Sequence, residues 1–288
     1  MATDSKKNTA AEEAAKKALE AVEKQRAAKK TSKVSQEELL AATKKNARPY
    51  RILAFVFWLL ALGCEVLAIL FFAKKIDIPT ITITEESLYP TGWWIAWIAA
   101  LVLDLIFLII GSACWKKGNH LDPASAKNKT KFWLHNNLGI FVAALCFIPF
   151  IILALTDKNA DKKAKTWATV IAAVALALGI TTSIDYNPIS QEEMLNNAAT
   201  YDSVYWLEKG EVFHAFDTCQ YVNGKTGILH GTGEEAVKAG KTRLCKVCEK
   251  KIGNGETPDG MDTKEWESLL NSAAEAASNA ATKDEAAD

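Results

Sequence analysis

The sequence carries no net charge: 34 lysines and arginines balance 34 aspartates and glutamates, and the mean hydropathy is zero. It also lacks any apolar run before Ile52, so no cleavable secretion signal is visible and the N-terminus is expected to stay attached. Such neutral totals would be ordinary for one soluble domain. Here they average unlike parts, because apolar residues fall almost entirely between Ile52 and Ile184 while both ends are rich in charge. Cysteine is sparse as well. Of six, Cys64, Cys114 and Cys146 lie inside apolar runs, and Cys219, Cys245 and Cys248 lie in the polar C-terminal part; only the second group has informative spacing. No nucleophile with its base, acid–base pair or phosphate loop stands out, so the sequence gives no basis for an enzyme.

What is present begins with four apolar runs. A helix rises 1.5 Å per residue, and about 20 apolar residues cross the hydrocarbon core of a bilayer. Ile52 to Ala73 is broken only by Glu65, and Trp93 to Cys114 only by Asp104; Phe132 to Leu155 opens on His135, Asn136 and Asn137; Trp167 to Ile184 is shorter and rich in alanine. Tyr50, Trp93, Trp94, Trp97, Trp115, Trp133 and Trp167 stand near the ends of these runs, as interfacial aromatic belts require. Buried helices of a soluble α-protein fit poorly, since they are shorter and keep a polar stripe.

Lysine and arginine in the short flanks set the expected orientation. Lys44, Lys45, Arg48, Arg51, Lys116, Lys117, Lys127, Lys129 and Lys131 stand on one side, against Lys74, Lys75, Lys158, Lys162, Lys163 and Lys165 on the other. The bias of nine to six places both termini in the cytoplasm of a multi-pass protein of the cell membrane. In the fourth run Ala168, Ala172, Ala175 and Gly179 recur at heptad spacing, a small-residue seam for close helix approach. Pro149 is expected to kink the third run, which membrane helices tolerate.

Glu65 and Asp104 are the functional suspects within the bilayer, because an ionisable group there costs a few kcal/mol or more. The helical rise puts them roughly 20 and 15 Å from the inner edge, so the two are expected to face each other. No lysine or arginine lies at that depth, and at least one carboxyl is expected to carry its proton. One reading is a proton or cation relay, which would make the bundle a transport or sensing device. The other is hydrogen bonding between helices, with Asn136, Asn137, Thr181 and Thr182 as further interhelical groups; four runs without broken or repeated helices favour it.

A second domain follows. Ser190-Gln191-Glu192-Glu193 has the form of a capping box opening a helix to about Ala199. Val204-Tyr205-Trp206-Leu207 and Glu211-Val212-Phe213-His214 read as strands of a hairpin around a turn containing Gly210. The hairpin ends on His214, Cys219 follows after four residues, and Cys245-Lys246-Val247-Cys248 supplies a Cys-x2-Cys knuckle 25 residues on. One histidine and three cysteines are a set that tetrahedral zinc prefers. A module this short cannot bury a self-sufficient core, so structural zinc is expected to supply much of its folding free energy. Trp206, Phe213, Phe216 and Leu244 provide apolar support, and Thr232-Gly233-Glu234-Glu235 with Gly240 bounds a two-turn helix. A redox knuckle lacks its βαβ context, a disulfide disagrees with a cytoplasmic location, and His230 is an alternative ligand.

From Val204 to Cys248 the hairpin, His-x4-Cys, Glu-Glu-Ala helix, glycine and Cys-x2-Cys resemble a bacterial zinc module related to the N-terminal metal-binding domain of the Ada DNA-repair protein. Together with Leu121-Asp122-Pro123-Ala124-Ser125 in the second cytoplasmic loop, the arrangement also looks like a family of bacterial four-span membrane proteins to which no activity is attached. The first resemblance implies a DNA-binding domain that accepts a methyl group on a zinc-bound thiolate. His214 stands where that pattern has its reactive first cysteine, so the accepting thiolate is missing. From Tyr201 to Lys251 eight basic residues face seven acidic ones, without the basic excess of a nucleic-acid binder. Lys241, Arg243, Lys246, Lys250 and Lys251 remain candidates for phosphate contact.

The expectation is thus a mainly α chain: a charged Ala/Lys/Glu-rich tail over 1–49, a four-helix transmembrane bundle over 50–185, a small α+β zinc-binding domain over 186–255, and an acidic tail over 256–288. The first tail pairs Glu12, Lys16, Glu20 and Glu23 at helical spacing, and Asp262-Thr263-Lys264-Glu265 caps a helix holding Trp266, Leu269 and Leu270. Disorder is otherwise expected of both tails. The expected partners are the lipid bilayer and a protein or nucleic acid bound by the module, with homo-oligomerisation left open.

Overall fold

The structure is a computed structural model, and it describes residues 33–76, 91–158, 160, 162–264, 266–268 and 271. The expectations for 1–32, for Glu265 and for Leu269 and Leu270 lie outside the described residues. Two compact units emerge: Ala47–His120 with Ala126–Pro188, and the described residues of Met1–Asn46, Leu121–Ser125 and Ile189–Asp288.

The first unit is helical. Its helices are α1 (Lys33–Phe72, whose residues up to Asn46 belong to the second unit), α2 (Thr91–Leu121), α3 (Lys129–Asn136), α4 (Leu138–Thr156) and α5 (Lys162–Ser183). Four of them, α1, α2, α4 and α5, are long and apolar enough to cross a membrane. Helix α1 ends where Lys74 takes a left-handed φ of 55°; Lys74 N–H donates to the Phe71 carbonyl and Lys75 N–H to that of Leu70, a Schellman closure made without glycine.

The third apolar run is divided. Asn128 caps α3 by accepting from Lys131 N–H, and at Asn137 the backbone leaves helical geometry (φ −114°, ψ 23°) before α4 begins. The expected polar opening of one long helix is therefore a separate short helix. Asn136 and Asn137 donate to the Phe132 and Trp133 carbonyls of that same segment. Thr181 and Thr182 likewise bond back to Ala177 and Leu178 of their own helix. None of these four is the interhelical linker expected, because in an apolar setting the nearest acceptor for such a side chain is its own preceding turn. Side chains that do link helices include Ser112 with Ser183 at 2.9 Å, Glu65, which accepts from Phe150 N–H at 3.1 Å, and Trp115, whose ring N–H donates to the His135 carbonyl.

The small-residue seam is present and buried, at Ala164, Ala168, Ala172, Ala175, Gly179 and Ser183 of α5. A Cβ on Gly179 would stand 2.7 Å from Leu108 Cδ2 and 3.5 Å from Phe147 Cε2. Gly179→Ala is tolerated because the Leu108 tip can turn away, whereas Gly179→Leu overpacks the seam and should cost about 1–3 kcal/mol. Thermal unfolding of the two purified variants in one detergent measures the difference.

The second unit contains α6 (Gln191–Thr200), β1 (Val204–Leu207), β2 (Val212–His214), β3 (Ile228–Gly231), α7 (Gly233–Lys238), β4 (Arg243–Leu244) and α8 (Lys246–Gly253). Both expected N-caps form. Ser190 accepts from Glu193 N–H, and Thr232 and Glu235 cap each other reciprocally around α7. After α7 the chain turns at Gly240 with φ 80°, a conformation glycine adopts freely. The hairpin β1–β2 pairs Tyr205 with His214 and Trp206 with Phe213. Strands β3 and β4 complete the sheet, in the order β3-β1-β2-β4.

Its core holds Tyr201, Val204, Trp206, Phe213, Phe216, Val222 and Ile252 with three cysteines, and Leu244 packs at its edge. Trp266, 0 % exposed, belongs to the same core, and its backbone N–H donates to the Asp262 carbonyl. A smaller cluster joins Leu39 of α1 to Ile189, Met194 and Val237.

Candidate metal centre

His214 terminates β2, and Cys219 lies in the turn that follows, where its N–H donates to the Phe216 carbonyl. The second pair arrives through β4, which runs parallel to β2 with Leu244 opposite Phe213. Cys245 N–H then donates to the Phe213 carbonyl at 2.9 Å, so the residue after β4 is fixed beside the end of β2. Cys245 is the N-cap of α8 and Cys248 sits in its first turn. Two bonded strand ends thus bring together ligands far apart in sequence.

The ligand atoms of His214, Cys219, Cys245 and Cys248 all lie within 4.8 Å of one another, and all four residues are buried. Cys248 Sγ is 3.9 Å from His214 Nδ1. Ligands about 2.0–2.3 Å from a tetrahedral zinc stand roughly 3.5 to 3.8 Å apart, so the set needs only a small contraction to close on one ion. The Cys248 thiol points at the Cys245 sulfur, as do the His214 side chain and the backbone N–H groups of Cys248 and Val247, and together they hold the Cys245 thiol well below its ordinary pKa. Such N–H groups at a helix start favour a thiolate. No described cysteine is in a disulfide. Four protein ligands fill a tetrahedron, which is the composition of a structural site and not of a catalytic one.

His230 does not join the cluster. It lies on β3, where Tyr205 opposite it and a 2.8 Å contact between its Nε2 and Ser203 Oγ engage its ring. The five basic residues are likewise dispersed. Lys241 is buried, and its ammonium donates to the carbonyls of Glu208 and Gly210 in the hairpin turn. Arg243 pairs with Glu211 at 3.5 Å, and Lys251 pairs with Glu256 at 3.3 Å and lies over the Phe216 ring. Lys246 and Lys250 are exposed on α8. Lys241→Ala should destabilise the second unit by about 1.5–3 kcal/mol, the scale of a buried charge-assisted hydrogen bond, read as a lower denaturation midpoint.

No protein-family model matches this chain, and no curated protein or solved structure matches it either. Four long apolar helices and a compact His/Cys3 cluster are what the molecule itself displays.

In the helical unit Glu65 and Asp104 are 3 % and 0 % exposed and interact electrostatically, with Cys64 and Cys146 alongside. Glu65 Oε1 takes the Phe150 N–H just after Pro149, where the proline ring loosens the helical ladder. Glu65 Oε2 has no hydrogen-bond partner among the described residues, and the Asp104 carboxyl is met by the Cys146 thiol.

Proposed function

We propose that this chain is a multi-pass membrane protein whose C-terminal module is built around one structural zinc ion and binds a macromolecular partner, while the helical bundle anchors it. The observation that carries this reading is the burial of one imidazole and three thiols within 4.8 Å of one another. A domain that spends its few buried polar side chains this way gains most of its stability from metal. The bias of lysine and arginine in the flanks of the spans supports a cytoplasmic module.

The partner fits a protein better than a nucleic acid. Of the five candidate phosphate contacts, Lys241 is turned onto carbonyls and Arg243 and Lys251 face carboxylates. That leaves two exposed lysines, a small electrostatic footprint for DNA. Methyl transfer of the Ada kind also lacks its nucleophile at His214. The test is zinc analysis of the full chain extracted from alkali-washed membranes, with binding to duplex DNA measured across salt. One zinc per chain and no DNA retention support the reading; chain lost in the wash, metal-free protein or tight, salt-sensitive DNA binding counts against it.

The burial of two carboxyls, Glu65 and Asp104, within the bundle favours a second reading, in which the pair carries protons or a small cation through it. Vesicles holding the chain and a pH-reporting dye decide it. Flux that disappears in Glu65→Gln and Asp104→Asn, with folding intact, establishes transport; equal leakage with and without protein returns both carboxyls to a packing role.

A further inference from the structure

We infer that α3 is an interfacial helix that gathers anionic phospholipid headgroups at one end of the bundle, an inference that rests on the membrane reading above. The break at Asn137 is the starting point. It detaches eight residues, Lys129–Asn136, from the apolar helix α4 that follows. Eight residues are about 12 Å long, too short to cross a bilayer.

The composition of α3 suits the boundary between hydrocarbon and headgroups. Trp133 and Leu134 are 54 % and 43 % exposed, and the Trp133 ring meets Phe141 of α4 edge-on at 6.2 Å. Phe141 opens an exposed apolar face that continues through Leu145, Ile148 and Ile152, the side α4 offers to lipid. Trp133 therefore extends that face to the level where tryptophan is enriched. Lys127, Lys129 and Lys131 are all exposed. Lys129 precedes Trp133 by four residues and Lys131 precedes Leu134 by three, so each lysine lies one turn N-terminal to an apolar side chain on the same face. Long basic side chains in this position carry their charge to the headgroups while their stems stay in apolar surroundings.

Other charged groups at this end of the unit are engaged within it. Lys117 lies over the Tyr50 ring, and Lys116 donates to the Thr182 carbonyl. The carboxylate that follows α5, Asp185, is 2.8 Å from His120 and also accepts from Asn187 N–H, so it is engaged within the bundle. Basic clusters beside a span attract anionic lipid with about fivefold in affinity per residue.

The experiment uses the full chain in lipid nanodiscs containing spin-labelled phosphatidylglycerol or spin-labelled phosphatidylcholine. The readout is the motionally restricted fraction of each lipid. The expected result is selectivity for phosphatidylglycerol that falls at least about fivefold in K127Q/K129Q/K131Q, a triple change on exposed positions. Selectivity unchanged by that substitution overturns the inference, as does displacement of the labelled lipid by inorganic phosphate, which would mark a free-anion site. A chain that does not remain in the discs overturns the membrane reading itself and this inference with it.

Discussion

Chelation of metal is expected to unfold the C-terminal module while leaving the helical bundle folded. The reason is one of scale. Structural zinc binding in small domains is worth about 10–16 kcal/mol, and a whole small domain is stable by only about 5–15 kcal/mol. The module core is built around the cluster, with Cys219, Cys245 and Cys248 buried among Phe213, Phe216 and Val222, so releasing the ion leaves thiols and an imidazole without compensation in the middle of it. Replacing Cys248 by Ser should reproduce the effect, because the shorter, harder oxygen cannot complete the set. Proteolysis of the full chain reads both outcomes: cleavage after Tyr201 accelerates on adding a strong chelator or on C248S, and the four long apolar helices stay protected. Equal protection with and without chelator would remove zinc from the account.

The second large effect is expected at Trp266. This indole is 0 % exposed and packs in the same core as Trp206 and Phe216, although it lies 18 residues after the final cysteine. Trp266→Ala opens a large cavity and should cost about 3–5 kcal/mol, enough to unfold a marginal module. Its ring N–H has no hydrogen-bond partner among the described residues, so Trp266→Phe removes an unsatisfied donor along with part of the volume and should cost clearly less. Zinc retention under rising urea measures both: early loss for the alanine variant, a midpoint near the unaltered chain for phenylalanine. Similar behaviour of the two would mean that Trp266 is peripheral.

Much of this arrangement was legible in the residues. Run length reports the cost of exposing backbone and charge to hydrocarbon, so four long apolar helices could be read directly. Ligand spacing was equally direct, because His214 and Cys219 are local and Cys245 and Cys248 share one helical turn. Side-chain signals at Ser190 and Thr232 placed both helix starts, since each cap is a local hydrogen bond.

What was missed depends on distant contacts. Strand β3 carries exposed Ile228 and Leu229 and is defined only by pairing with β1; the short apolar stretch between Gly227 and Gly231 was the one available hint. Strand β4 is two residues long and exists because β2 lies beside it. The division at Asn137 was hidden because apolar Phe132, Trp133 and Leu134 stand before the polar His135, Asn136 and Asn137, so the two stretches read as one run with a polar opening. The interhelical role of Asn136, Asn137, Thr181 and Thr182 failed for a related reason: composition marks a polar side chain but not the nearest acceptor, which here is its own helix.

X-ray absorption at the zinc edge on the purified full chain tests the central claim most directly. One zinc per chain, with three sulfurs near 2.3 Å and one nitrogen near 2.0 Å, is the result expected from His214, Cys219, Cys245 and Cys248. A shell of oxygen and nitrogen, or two sulfurs with bound water, would contradict a closed site on these four side chains.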